Sequence, residues 1–243
     1  MGKKIIMVDG SARRKNTYSL LKQIENILSA ASYEIEIINL FDYNLQDCIG
    51  CEKCVRQDEC CLQDDIHVLI DKLKTADGLV FSSPVYMCSI TSRFKTFADR
   101  LNRWVHKPDL AGIPLMFVST TASSGMKQTK SFYQSYSAAL GVRSSDFISR
   151  VGKEMANPVK KPELANFMRL LKEDKKDYPP KINEIIMFNV GKILASKSTG
   201  ADHKYWEEKG WFKERYYFPC KMNPGKVLFS KFIYKMISKS LSG

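Results

Sequence analysis

Short apolar runs and amphipathic stretches alternate along the first 150 residues. Lys4–Asp9 (KIIMVD) is apolar at both side-chain parities and stops at Gly10, the pattern of a strand buried on both faces. Leu20, Leu21, Ile24, Ile27 and Leu28 then recur at helical spacing, and Glu34–Leu40 predicts a second strand. Ile66, Leu69, Ile70 and Leu73 predict a helix with Asp64 and Asp65 as candidate caps. Gly78–Ser82 predicts a third strand, stopped by Pro84, which cannot extend a ladder. Phe94, Phe97, Leu101 and Trp104 mark a helix over Ser92–Trp104. Pro114–Thr120 and Val142–Ile148 predict the fourth and fifth strands, with a helix over Met126–Leu140 between them. Such alternation predicts a parallel sheet with helices on both faces. In such sheets ligands bind beyond the carboxyl ends of the strands, where strand order reverses.

After Val151 the strand pattern stops. A helix around Leu164–Leu171 leads to the breaker Pro179-Pro180. Ile182, Ile185, Ile186, Val190, Ile193 and Leu194 follow on one stripe. An aromatic-rich stretch runs from Tyr205 to Phe218, and a last helix is predicted over Val227–Leu241. The expected organisation is a domain over residues 1–150 and a helical, basic C-terminal extension over 151–243. In the last helix Leu228, Phe229, Phe232, Ile233, Met236 and Ile237 share a face flanked by Lys231, Lys235 and Lys239. Packing on the core or on a sister subunit is its expected use; docking on a membrane surface is the lesser alternative.

Charge and cysteine usage narrow the chemistry. The net charge is +12, and from His203 onward nine Lys/Arg face three Glu, so anionic partners or cofactors are favoured. No nucleic-acid recognition motif accompanies that charge, so nucleic acid is not expected. No apolar run approaches the ~20 residues of a membrane span. The N-terminus enters a strand pattern with no signal-peptide features, so a cytoplasmic location is the expectation. Thiols stay reduced there, and five of the seven cysteines cluster as Cys48-x2-Cys51-x2-Cys54-x5-Cys60-Cys61.

Three loops at strand ends carry candidate binding groups. Gly10-Ser11-Ala12-Arg13-Arg14-Lys15-Asn16-Thr17 joins a strand to a helix, and its N–H groups, hydroxyls and cations suit a terminal monophosphate. It is neither G-x-G-x-x-G nor a Walker A loop. Ser82-Ser83-Pro84-Val85-Tyr86-Met87-Cys88-Ser89-Ile90-Thr91 offers N–H groups and an aromatic to the edge of a planar heterocycle. Ser119-Thr120-Thr121-Ala122-Ser123-Ser124-Gly125 is small and polar enough to approach a ligand closely.

On GSARRKNT, on C-x2-C-x2-C…C…DD over Cys48–Asp65, and on SSPVY…FKTFADR over Ser82–Arg100, the chain resembles the flavodoxin-like NAD(P)H-dependent FMN reductases, and within them the iron–sulfur flavoprotein-like branch. The resemblance covers roughly residues 3–150. It implies a five-stranded parallel sheet in the order 2-1-3-4-5. It also implies that Ser11, Arg13, Asn16 and Thr17 hold the FMN phosphate, that Pro84, Val85, Tyr86, Met87, Cys88 and Ser89 line the isoalloxazine, and that Thr120, Thr121 and Gly125 close the other side. Lys95, Asp99 and Arg100 are expected to form an ion-pair set on the helix behind the ring loop. NAD(P)H would be the donor, and a quinone, flavin or nitro compound the acceptor. The rivals are a carrier of single electrons between protein partners and a non-catalytic flavin-fold protein. A homo-oligomer is expected from the family's habit, and no acid–base side chain is singled out.

The cysteine run stays open at this level. Cys48, Cys51, Cys54 and Cys60, or Cys61 in place of Cys60, have spacing that suits a [4Fe–4S] cluster. Free thiols or a labile redox pair are the rival, and zinc, which prefers two separated pairs, is a third reading. Cys88 falls in the ring loop, and Cys220 is expected to be structural. His67, His106 and His203 are isolated.

Overall fold

A computed structural model describes residues 2–240. Five parallel strands, β1 (Lys4–Asp9), β2 (Glu34–Asn39), β3 (Gly78–Pro84), β4 (Pro114–Thr121) and β5 (Arg143–Val151), form one sheet in the order β2-β1-β3-β4-β5. The order reverses between β1 and β3, which places the carboxyl ends of those strands at the switch point. Helices α1 (Asn16–Ser29), α2 (Lys53–Arg56), α3 (Ile66–Lys74), α4 (Ser92–Arg100), α5 (Arg103–His106) and α6 (Met126–Ala139) occupy the crossovers. The extension adds α7 (Ala165–Lys172), α8 (Ile182–Lys197), α9 (Ala201–Glu208) and α10 (Pro224–Ser240).

The period of two along β1 sorts the core into layers. Ile6 and Val8 face α3, α4 and α6 through Leu69, Leu73, Phe94, Phe97 and Tyr133. Ile5 and Met7 face α1 and α7 through Leu21, Ile24, Leu28, Phe167 and Leu171. The extension therefore begins by completing the second layer over the sheet. Its aromatic stretch then forms a third core with α8 and α9, in which Phe188, Trp206, Trp211, Tyr216 and Tyr217 pack on one another.

Several boundaries move from the sequence expectation. Strand β3 runs through Pro84, which stands opposite Thr120, because a last rung needs no amide from the proline. The helix expected over Ser92–Trp104 breaks after Arg100, where Leu101 N–H turns toward Phe97 and Ala98 carbonyls before α5 restarts. Asp64 accepts from Ile66 N–H at 3.1 Å, whereas Asp65 makes no side-chain cap and accepts from Asn44 N–H. Leu241, the expected end of the last helix, lies outside the described residues.

Candidate functional site

The three loops form one rim at the carboxyl ends of β1, β3 and β4. Gly10 N–H donates to Ser82 O at 2.8 Å, and Thr91 Oγ1 donates to Gly10 O at 2.8 Å. The buried hydroxyls of Thr17 and Thr120 meet at 2.7 Å, and Val85 N–H donates to Thr120 O at 2.8 Å. Residues far apart in the chain thus lock to one another directly.

Ser11, expected to hold a phosphate, turns its own donors inward. Its Oγ and N–H both donate to the Asp9 carboxylate, at 2.7 and 3.1 Å. Asp9, fully buried, also accepts from Asn39 Nδ2 at 3.0 Å and Ser82 Oγ at 3.1 Å. Burial pushes this carboxyl above its ordinary value, and the Ser11 and Ser82 donors oppose the rise. Asp9 and Asn39 were missed in the sequence; the only signal was a polar residue closing each of the first two apolar strands. The network stiffens the loop from beneath and leaves its outer side cationic. Arg13 and Lys15 are exposed there, and Arg14 pairs with Asp42. Lys15, the residue before α1, provides no side-chain cap, so the first amides of the helix remain available to an anion. Asn16, at that start, donates to Met155 Sδ.

Tyr86 and Ser89 exchange backbone bonds at 2.8 and 3.0 Å around Met87 and Cys88, whose φ values are 46° and 62°. Such turns favour Asn-Gly, and a side chain in this region is strained. Met87 is 98% exposed, so the turn projects two side chains outward from a rigid base. Gly125, at φ 86°, starts α6 against this turn. A Cβ there would lie 2.6 Å from Cys88 Cα and 2.7 Å from Val85 Cγ1. Thr121 Oγ1 donates to Ser124 O, closing the last loop on itself.

Helix α4 joins this rim to the cysteine loop. Thr91 caps it, accepting from Phe94 N–H. Arg93 donates to the carbonyls of Leu40, Leu45 and Tyr43. Arg100 donates to Gln46 O at 2.8 Å, to both Asp64 oxygens and to Cys60 Sγ at 3.4 Å. The expected ion-pair set therefore splits. Lys95 and Asp99 pair on the exposed face, while Arg100 crosses to Asp64 with both side chains buried. Burial alone would raise the Asp64 carboxyl, but Arg100 and two backbone amides bring it below its ordinary value.

Cys48, Cys51, Cys54, Cys60 and Cys61 line one small pocket of ≈ 60 Å³, bordered by Arg100 and Arg103. Cys51 and Cys61 sulfurs lie 3.2 Å apart. The Lys53 amide and the Cys61 thiol lower the Cys51 thiol, while burial and the neighbouring cysteines raise Cys54. Among the described residues no three Cys, His, Asp or Glu stand in metal-binding geometry. The donor set nonetheless fits a soft metal group: five sulfurs line the pocket beside the cationic Arg100 and Arg103, with Glu52 and Asp99 as its carboxylates. Cys88 lies away from this pocket on the exposed turn, and Cys220 sits in the third core, where burial pushes its thiol up to about 11.

Comparison with known proteins bears on this arrangement. An iron–sulfur flavoprotein of Archaeoglobus fulgidus is 35% identical over 97 residues, 40% of this chain and 48% of that protein. The chain spans about half the length of the archaeal relatives it matches. An iron–sulfur flavoprotein of Clostridioides difficile is 25% identical over 85% of this chain and 98% of its own. The NAD(P)H:quinone oxidoreductase of Methanothermobacter marburgensis shares the fold, with a TM-score of 0.53, 16% identity, and coverage of 71% of this chain and 94% of its own. The family model for NADPH-dependent FMN reductases matches residues 3–146, which hold β1 to β4, the start of β5 and all three rim loops, and the chain belongs to that family.

Proposed function

We propose that the rim binds FMN and that the protein is an NAD(P)H-dependent oxidoreductase passing electrons to a small acceptor such as a quinone, flavin or nitro compound. The observation that carries this reading is the direct locking of three strand-end loops through Thr17, Thr120, Val85 and Gly125. The uncapped start of α1, with Arg13 and Lys15 beside it, would take the terminal phosphate. Ser11 would serve through its place on the Asp9 network, not as a free hydroxyl. Val85 to Ser89 would face one edge of the ring, with Thr121 and Gly125 on the other side. Bound there, FMN would supply hydride acceptance and one- or two-electron release. The chain's own part is to orient the ring on a strained, preorganised turn and to place cations and amides where negative charge accumulates.

A second reading adds a cluster. Cys48, Cys51, Cys54 and Cys60 or Cys61 would hold a [4Fe–4S] group, which would supply one-electron storage. The observation favouring it is the convergence of five thiols on one pocket fixed by Arg100. The names of the curated relatives support it as well. Anaerobic purification with iron, sulfide and FMN analysis tests both readings. Flavin bands that NADPH or NADH bleaches within the mixing time support the enzyme. Stoichiometric FMN that neither nicotinamide reduces supports a carrier, and failure to bind added FMN sinks both. Flavin without iron in an anaerobic preparation removes the cluster.

A further inference from the structure

Helix α10 is amphipathic with the wrong amount of cover. It seats a narrow face on α8, where Ile233 is buried and Ser230 Oγ accepts from Asn189 Nδ2 at 2.9 Å. The apolar stripe read from the sequence is wider than that seat. Leu228, Phe232 and Met236 are 71%, 62% and 51% exposed. Their spacing of four residues stacks them into one ridge about 12 Å long. Isolated exposed apolar residues need no explanation, but an aligned ridge does.

The surroundings of the ridge select its occupant. An open groove of ≈ 710 Å³ runs beside it between α8, α10 and the turn at 212–215. Phe188, Phe212 and Phe232 give the groove an apolar floor, and Lys213, Arg215 and Lys231 give it a cationic rim. Glu214 is the only acidic residue between 209 and 240, against eight Lys/Arg in the same span. A second copy docking face to face would set these cations against their own kind. An anionic bilayer surface meets both features at once: acyl chains take the ridge, and phosphates take the ammonium and guanidinium groups. Lysine stems beside such a ridge can lie along the apolar boundary with their heads in the phosphate layer. No helix among the described residues is long and apolar enough to cross a membrane, so the contact is peripheral.

We propose that the exposed ridge of α10, with the cationic rim beside it, docks the protein on the surface of an anionic phospholipid membrane. The test is co-sedimentation of the full chain with vesicles of equal parts phosphatidylglycerol and phosphatidylcholine, and with phosphatidylcholine alone. The wild type is expected to pellet with the anionic vesicles only, less so as salt is raised. Lys231→Gln/Lys235→Gln is expected to lower the partition by about ten-fold or more, given the attraction of each lysine to an anionic surface. Leu228→Ser/Phe232→Ser should lose the binding that survives high salt. All four side chains are exposed, so melting temperatures within a degree or so of wild type separate lost docking from lost folding. Three results would overturn the proposal: no pelleting with anionic vesicles, equal pelleting with phosphatidylcholine alone, or pelleting unchanged in both variants. A concentration-dependent dimer abolished by Leu228→Ser/Phe232→Ser would overturn it too, and would assign the ridge to a second copy.

Discussion

Arg100→Met isolates the contact that ties the helix behind the ring loop to the cysteine loop. The Arg100 and Asp64 side chains are 2% and 0% exposed, so the variant leaves a carboxylate away from water without its counter-charge. Losing one partner of such a pair costs ~3–5 kcal/mol. Asp64 keeps two amide donors, Gln46 N–H at 2.7 Å and Ile66 N–H at 3.1 Å, which argues for the lower end, ~3 kcal/mol. In a chain of this size each kcal/mol moves the melting midpoint by about 2–4 °C, so a fall of about 6–12 °C is expected.

The sign with pH follows from the same geometry. The wild-type Asp64 carboxyl is held below its ordinary value, so its stabilisation is full at neutral pH. It is lost only as pH falls below the ordinary range, near 3.9, through the depressed value. Without Arg100 the carboxyl rises, so the gap between variant and wild type is widest at neutral pH and narrows on acidification. Arg100→Met/Asp64→Asn removes the stranded charge and should recover most of the loss. Urea and thermal unfolding of the four proteins of the cycle, under anaerobic conditions, measure this directly. Thiol labelling should quicken at Cys60 because the loop that Arg100 ties through Gln46 O opens to the reagent, which outweighs the loss of a cation beside the sulfur. A cost below ~1 kcal/mol for Arg100→Met, or no recovery in the double variant, would refute the view that this pair holds the loop.

Gly125→Ala should weaken FMN binding by about ten-fold or more, followed by quenching of flavin fluorescence, because its Cβ would collide with the backbone of Cys88 at a left-handed φ. Met87→Asn/Cys88→Gly should raise unfolding stability by about 1 kcal/mol or more by relieving two left-handed residues, while loosening FMN; a denaturation midpoint no higher than wild type would argue that the turn is unstrained. Burial holds the His106 imidazole below its ordinary value, with Asp202 opposing, so protonation favours the unfolded chain and stability should fall as pH drops below about 6.5. His106→Gln should flatten that part of the melting-temperature profile.

What was legible in the sequence is what local periodicity encodes. The parity of Ile5, Ile6, Met7 and Val8 marks a strand covered on both faces, and the two cores confirm one parity per layer. Parallel topology then carries the strand-end loops to one edge of the sheet. Lys95–Asp99 was equally legible, since four residues is one helical turn. Arg100–Asp64 was not, because its partner comes from 36 residues away, at the end of the cysteine loop, which has no period. The same limit hid the fate of the Ser11 hydroxyl, which depends on β1, β2 and β3 bringing Asp9, Asn39 and Ser82 together. In α10 the periodicity was right and still insufficient. It marks an apolar stripe but cannot say how much of that stripe α8 covers.

The Met87-Cys88 turn is the sharpest departure from local rules. Nothing in Tyr-Met-Cys-Ser signals a two-residue turn that favours Asn-Gly. The surrounding structure over-determines it instead, through the Tyr86–Ser89 backbone pair, the Val85 anchor on Thr120, and Gly125 pressed beneath. Local preference and native geometry usually agree, and they part company where strain is held for use. This turn keeps two side chains in an unfavourable region at the switch point of a flavin-family sheet, on the loop proposed to face the ring. Hence Met87→Asn/Cys88→Gly should gain stability and lose affinity together, whereas a merely tolerated irregularity would gain the one and leave the other untouched.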